Sequence, residues 1–333
     1  RVRTANSMIM THRDSARWWR CKACSLPYEM REIESQMISF DSSSMKRRVF
    51  VVGCSRSGTT LLQSLLAAHP LVATFPETNF LWQVLVHAPR RQYLVRLGLA
   101  TGREIRFLQG MLERFGRKDL ASSLPCQPWT FQRCISIFLA TLDSLALEQG
   151  GELWVEKTPL HIRHIDTIER YVPSPFFIHI VRDGREVVAS IEDRAQTHPD
   201  SFGGQGVDYG IRLWNECIRH TKRHQGKPNH FVVRYEGLVQ ETDSEMNNLF
   251  HFLGLQYDPD IKRHRVTDPD QFILPSEGWK EKVTRPIEKR PSKFHRLFGP
   301  EHRKEIERAL NLALLNELTS VKNGPLQNST DSS

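Results

Sequence analysis

One stretch constrains this chain more than any other: Val49-Phe50-Val51-Val52-Gly53-Cys54-Ser55-Arg56-Ser57-Gly58-Thr59-Thr60-Leu61-Leu62. Its short, continuous apolar run reads as a strand buried on both faces, the kind found inside a parallel sheet. A G-x-x-x-x-G loop follows. From Gly58 to Ala68 the pattern is helical, stopped by His69-Pro70. In such a strand–loop–helix unit, successive backbone N–H groups converge on an anion and the helix dipole adds to them. A nucleoside-triphosphate loop places Lys after its second Gly. Here that position is Thr59, and the positive charge sits inside the loop at Arg56, a planar fork suited to phosphate oxygens. Arg56, Ser57, Gly58, Thr59 and Thr60 therefore read as a phosphate loop without the triphosphate lysine. The competing reading is a plain strand–helix corner capped by Ser57 and Thr59.

The rest of the chain repeats the alternation. Strands are expected at Val49–Val52, Leu153–Val155, Phe176–Val181 and His230–Arg234, and helices over 103–115, 129–149, after Pro159, and over 184–194, 207–224, 242–253 and 301–318. This pattern predicts an α/β fold of P-loop-like, three-layer type: a mostly parallel sheet with helices on both faces. One domain over 46–320 accounts for it, with a helical insert at 80–149 shaping an acceptor site. Residues 1–45 read as a poorly ordered extension and 321–333 as a disordered tail. The chain begins with Arg, and Met45, directly before the first strand, is a natural alternative start.

Seven Trp and 17 Phe among 333 residues demand a sizeable core and exclude a mostly disordered chain. No apolar run approaches the roughly 20 residues of a membrane span. With no signal-peptide pattern and six scattered cysteines, a cytoplasmic, reducing compartment is expected. Cys21 and Cys24 form a lone C-x-x-C with no second pair, so no metal site is expected. The net charge of +8 points to polyanionic partners. Nucleic acid is not among those expected, because no aromatic residues interleave with the basic ones. A basic run from Lys280 to Lys304, including Lys282, Arg285, Lys289, Arg290, Lys293, Arg296 and Arg303, is either a solvated face or a site wall.

A second anion site is legible at Phe176–Val181, which ends in Arg182-Asp183-Gly184-Arg185 where a helix begins. Arg182 thus stands at the carboxyl end of a parallel strand, where open α/β sheets bind ligands. Ser190 and Arg194, four apart, share one face of the helix. Two anion sites on one sheet call for a ligand with phosphates at two places. Adenosine 3′,5′-bisphosphate fits that description and ATP does not.

These residues resemble the sulfotransferases that use 3′-phosphoadenylyl sulfate. Arg56-Ser57-Gly58-Thr59-Thr60 is similar to their 5′-phosphosulfate loop, and Arg182 and Ser190, eight apart, to their 3′-phosphate pair. The resemblance runs from Val49 to Leu253. It is nearest the branch of tyrosylprotein sulfotransferases and many bacterial relatives, in which the loop helix ends in His-Pro, as at His69-Pro70, and a Glu-Thr follows, as at Glu77-Thr78. Arg194 and Tyr235 also match cofactor-contacting positions of that branch. No Lys-Thr-His segment of the histidine-base branch is present. The resemblance implies 3′-phosphoadenylyl sulfate as donor, adenosine 3′,5′-bisphosphate as product, no metal, and a hydroxyl acceptor on a glycan, a protein tyrosine or a small molecule. It further implies in-line displacement with Glu77 as base and Lys157 stabilising the bridging oxygen. Ser276, Trp279, Lys280 and Lys282 are candidates for closing over the donor. The alternatives are a small-molecule kinase with Asp183 as its magnesium ligand, or a non-catalytic bisphosphate-binding module. Cys54 sits inside the loop, where nearby N–H groups would favour thiolate, and is taken as idle. His161 and His164, a surface pair by spacing, are given no role, and Trp18-Trp19 is left undecided.

Overall fold

The computed structural model describes residues 45–86, 89–100, 102–124, 130–202, 204–261, 287–288 and 291–320, all within the unit Asp41–Ser333. The 1–45 extension (Met45 apart), Cys21 and Cys24, Trp18-Trp19, Ser276, Trp279, Lys280, Lys282, Arg285, Lys289, Arg290 and the 321–333 tail lie outside the described residues.

Five strands build one sheet: β1 (Arg47–Gly53), β2 (Val72–Thr74), β3 (Leu153–Lys157), β4 (Pro175–Val181) and β5 (His230–Arg234), in the order β2-β3-β1-β4-β5. Every pairing is parallel, with Val49 opposite Val155 and Phe176, and Ile180 opposite Val233. β1 lies at the centre, so its Val49 to Val52 are fully buried, as the unbroken apolar run requires. Four strands were expected. The fifth, β2, has three residues, too few for any periodicity to mark it.

Between and after the strands run α1 (Thr59–Leu66), α2 (Phe80–Val86), α3 (Pro89–Arg96), α4 (Gly102–Arg114), α5 (Lys118–Ser123), α6 (Phe131–Glu148), α7 (Ile165–Tyr171), α8 (Gly184–Thr197), α9 (Pro199–Phe202), α10 (Val207–His224), α11 (Tyr235–Gln240), α12 (Thr242–Phe252), α13 (Lys293–Leu297), α14 (Pro300–Ala309) and α15 (Leu312–Ser320). Strand residues alternate between the two faces. Val49, Val51, Val155, Ile178 and Val233 pack with Leu62 and Leu65 of α1 and Met246 and Leu249 of α12. On the other face Phe50 meets Trp154 edge-on at 5.4 Å, stacks on Phe177 at 5.8 Å, and lies 6.4 Å from the His161 ring. Helices thus cover both faces of an all-parallel sheet. Residues 80–148 supply α2 to α6.

Two helices differ from expectation. The segment after Pro159 starts as a 3₁₀ turn, Pro159–His164, before α7. The expected helix 301–318 is two helices. Asn215 donates to the Ala309 carbonyl at 2.8 Å and accepts from Asn311 N at 2.8 Å, ending α14 and starting α15 by a contact from α10. No helix among the described residues is long and apolar enough to cross a membrane.

Candidate functional site

The carboxyl ends of all five strands face one way, and Arg56, Ser57, Glu77, Lys157, Arg182 and Tyr235 stand at or just beyond them. β1 ends at Gly53, whose φ of 154° and place 2.5 Å (for a Cβ) from the Ile180 carbonyl exclude a side chain. The loop then turns through Arg56, which holds a left-handed φ of 71°, a conformation that a non-glycine residue keeps only where its surroundings impose it. Gly58, at φ 94°, is the N-cap of α1 and provides no side-chain cap. The hydroxyls are therefore not spent on capping. The Ser57 N–H closes the loop onto the Cys54 carbonyl at 3.2 Å, while Ser57 Oγ is buried with no hydrogen-bond partner among the described residues. Thr59 and Thr60 open α1 ahead of its first intrahelical bond, Leu62 N to Gly58 O, so their N–H groups belong to the orphan set of a helix start.

β4 delivers Arg182 and α8 delivers Ser190 and Arg194 to the same place. Arg56 Nε donates to Ser190 Oγ at 3.2 Å, and Arg182 Nη1 donates to the Arg56 carbonyl at 3.1 Å. The Arg182 guanidinium lies 4.1 Å over the Tyr235 ring, and Tyr235 in turn covers Gly58. Arg182 Nε is buried without a partner among the described residues. Arg194 packs 4.4 Å over Phe202. Burial, then the Arg182 charge, lowers the pKa of Arg56, with Asp193 opposing. Burial, then Arg56, lowers that of Arg194. Guanidiniums beside one another, with Glu186 Oε2 3.9 Å from Arg182 Nη2, make a place that a bound anion would stabilise. Two phosphate groups supply what this set lacks: an acceptor for Ser57 Oγ, one for Arg182 Nε, and compensating charge. The residues present fit a 3′,5′-bisphosphate.

Across the strand ends lies the carboxylate. Glu77, in the loop leaving β2, forms an ion pair with Lys157, the last residue of β3 and fully buried. Sequence reading missed what holds them. Glu156 is wholly buried; its Oε1 accepts from Thr78 N at 3.3 Å, Thr78 Oγ1 at 2.8 Å and Thr158 Oγ1 at 2.5 Å, and its Oε2 meets His161 Nδ1 at 3.0 Å. Burial alone pushes the Glu156 pKa up, but the His161 charge and the hydrogen bonds from His161, Thr158 and Thr78 outweigh it and hold it below the usual carboxylate range. Asn79, at φ 53°, donates its N–H to Thr158 Oγ1 at 3.1 Å. The Glu77 loop is thus tied at Thr78 and Asn79 to the strand end that carries Lys157.

Three expectations are corrected. Cys54 is buried, and desolvation, reinforced by Cys217, raises its pKa well above that of a free thiol, so it is not a thiolate. His161 is not a surface residue but the buried partner of Glu156. His164 also turns inward. Burial, followed by His161, Arg163 and His220, pulls its pKa down to about 3. It lines a 540 Å³ cavity with Arg163 and His220 and, from the insert, Trp82, Val95 and Arg96. Asp183 caps α8, accepting from Arg185 N at 2.9 Å and pairing with the Arg185 guanidinium. Of the basic run, Lys293 and Arg296 both engage Asp193 on α8, the residue before Arg194.

Comparison with known proteins adds the following. The family model described as the sulfotransferase family matches residues 48–259. Protein-tyrosine sulfotransferase 1 of Danio rerio is 26% identical over 220 residues, 65% of this chain and 55% of that protein. The protein-tyrosine sulfotransferase of Drosophila melanogaster is 28% identical over 233 residues, 69% of this chain and 41% of its own length. The chain thus spans about half the length of these relatives. The crystal structure of mouse sulfotransferase SULT7A1 complexed with PAP matches with a TM-score of 0.50 at 14% identity, over 87% of this chain and 93% of that one. That likeness is one of fold.

Proposed function

The chain belongs to the sulfotransferase family, and from that premise we propose that it transfers a sulfuryl group from 3′-phosphoadenylyl sulfate to a hydroxyl acceptor. The observation that carries the proposal is the cluster of Arg56, Arg182 and Arg194 beside a loop that lacks the triphosphate lysine and whose buried Ser57 hydroxyl has no partner among the described residues. Arg56, Ser57 and the N–H groups at Gly58, Thr59 and Thr60 hold the 5′ end of the donor. Arg182, Ser190 and Arg194 hold the 3′-phosphate, with Tyr235 fixing the plane of Arg182. When bound, the donor supplies a sulfuryl group on a phosphate leaving group.

The acceptor oxygen attacks sulfur, its proton passes to Glu77, and the bond from sulfur to the bridging phosphate oxygen breaks. Lys157 and Arg56 meet the charge that develops on that oxygen. As in phosphoryl transfer, the protein's work is positioning and charge stabilisation rather than covalent chemistry. The acceptor approaches from the insert, because α2 begins at Phe80, three residues after Glu77. The curated relatives compared are named protein-tyrosine sulfotransferases, so a peptide tyrosine leads the acceptor screen, ahead of phenols and sugar hydroxyls. The kinase reading has lost its support, since Asp183 is already committed to the α8 cap and to Arg185.

Calorimetric titration with adenosine 3′,5′-bisphosphate and then with magnesium-ATP, on the parent and on Arg182→Ala, tests the donor site. Losing charge-assisted bonds worth about 1.5–3 kcal/mol should weaken the bisphosphate roughly 10- to 100-fold. Tight magnesium-ATP binding with no response to the bisphosphate would sink the proposal. Labelled donor and the acceptor panel then test transfer itself; bisphosphate binding without transfer to any acceptor would favour the non-catalytic module.

A further inference from the structure

At the edge of the sheet remote from the anion site, three groups that sequence spacing could not connect come together. Glu169 on α7, His224 at the end of α10 and His230 at the start of β5 each offer one ligand-type atom, all within 4.8 Å of one another. His230 Nε2 lies 3.0 Å from Glu169 Oε1. Behind it, His230 Nδ1 is 2.9 Å from His179 Nε2, and His179 Nδ1 is 3.3 Å from Thr221 Oγ1. The His224 ring stacks on His230 at 5.2 Å and 11°. His224 is 2% exposed, its Nδ1 is buried with no partner among the described residues, and its Nε2 stands 3.7 Å from Asp166 Oδ1. The cations beside the cluster include Lys227, 2.8 Å from Glu169 Oε2, and Arg223, 3.1 Å from Asp166 Oδ2.

We propose that Glu169, His224 and His230 form a binding site for one divalent transition-metal ion of the zinc class. Two imidazoles and a carboxylate are a borderline donor set that suits zinc, cobalt, nickel or copper and leaves a position for water or Asp166. The hydrogen-bond chain behind His230 is the outer shell such a ligand uses. Without metal, Thr221 donates to His179, His179 to His230, and His230 Nε2–H to Glu169. With metal, the ion displaces the Nε2 proton to solvent, one proton is taken up from solvent at the far end of the chain, and the chain inverts with no net proton released: His230 Nδ1–H donates to His179 Nε2 and His179 Nδ1–H to Thr221. Both states are neutral throughout the chain. Lys227, whose side chain is 39% exposed, releases Glu169 and turns to water, a small loss for a pair of that exposure. The ion would tie α7, α10 and β5 together and take no part in sulfuryl transfer.

The test uses the full chain carrying Cys21→Ser and Cys24→Ser, which removes the thiol pair of the lone C-x-x-C. After chelator treatment it is titrated with Zn²⁺ by calorimetry and with Co²⁺ by visible absorption. One equivalent of Zn²⁺, a raised Tm and a Co²⁺ ligand-field band are expected, with affinity falling at least about tenfold in Glu169→Gln and in His224→Gln. Circular dichroism confirms that the variants fold. No stoichiometric binding by the parent, or affinity unchanged from the parent in both variants, overturns the proposal.

Discussion

Replacing Gly58 with Ala probes the anion site through its geometry rather than its charge. A Cβ there would lie 2.3 Å from Tyr235 Cδ2 and 2.7 Å from Cε2. At φ 94°, a residue with a Cβ also adopts left-handed backbone at a cost of roughly 1–2 kcal/mol. The overlap is relieved only by moving the ring, and the ring carries Arg182 at 4.1 Å. Loosening that contact forfeits about 0.5–2 kcal/mol of cation–π attraction. Together these cost about 1.5–4 kcal/mol, or roughly 10- to 700-fold in affinity for adenosine 3′,5′-bisphosphate. Calorimetry on the parent, Gly58→Ala, Tyr235→Ala and the double variant separates the two causes. With the ring gone, Gly58→Ala should cost only the backbone strain, so the cycle should show a coupling of about 1 kcal/mol or more. Equal losses in both backgrounds, or affinity within about threefold of the parent in Gly58→Ala, would refute the reasoning.

Glu77→Gln keeps the size of the side chain and removes its basicity; transfer should fall by about 10²–10⁴ while bisphosphate affinity stays within about threefold, read by initial rates and calorimetry. His164, with its pKa lowered from 6.5 to about 3, stays neutral when folded and protonates first when unfolded. Its contribution is therefore complete above pH 6.5 and is lost as pH falls toward 3, a range worth on the order of 4 kcal/mol. Denaturant unfolding at a series of pH values should show a shallower decline in His164→Gln than in the parent, and parallel curves would contradict the assignment. Cys54 and Cys217, both buried, should escape alkylation in the folded chain and react only on unfolding, as peptide mapping after iodoacetamide treatment would reveal.

The phosphate loop and the Arg182 strand end were legible in the sequence because each is a contiguous motif whose local context, strand before and helix after, can be read in one window. The same holds for β1, β4, β5 and α10, long or apolar enough to show their period. Contacts between distant segments were not legible. Glu156 reads as one more charge at a strand end until Thr78 and His161 are seen closing on it. α14 stops because Asn215, 94 residues away, takes its last carbonyl. The Cys54 reading weighed the local N–H groups and lacked the burial that outweighs them. β2 is recognisable only as the partner of β3, and the histidine cluster exists only in three dimensions.

The Glu156 tie has a consequence for how such a protein can diversify. The proposed base is anchored from beneath, at Thr78 and Asn79 to the end of β3, and the first turn of α2 joins the same tie, Phe80 N donating to Thr78 Oγ1 at 3.3 Å and Gln83 N to the Asn79 carbonyl at 2.9 Å. The proposed base and lysine share one support at the end of β3, so the insert beyond the first turn of α2 can vary in length and lining with that support kept. Chemistry and choice of acceptor are thereby separable traits. A new acceptor calls for a new insert, and the reaction centre can be inherited unchanged.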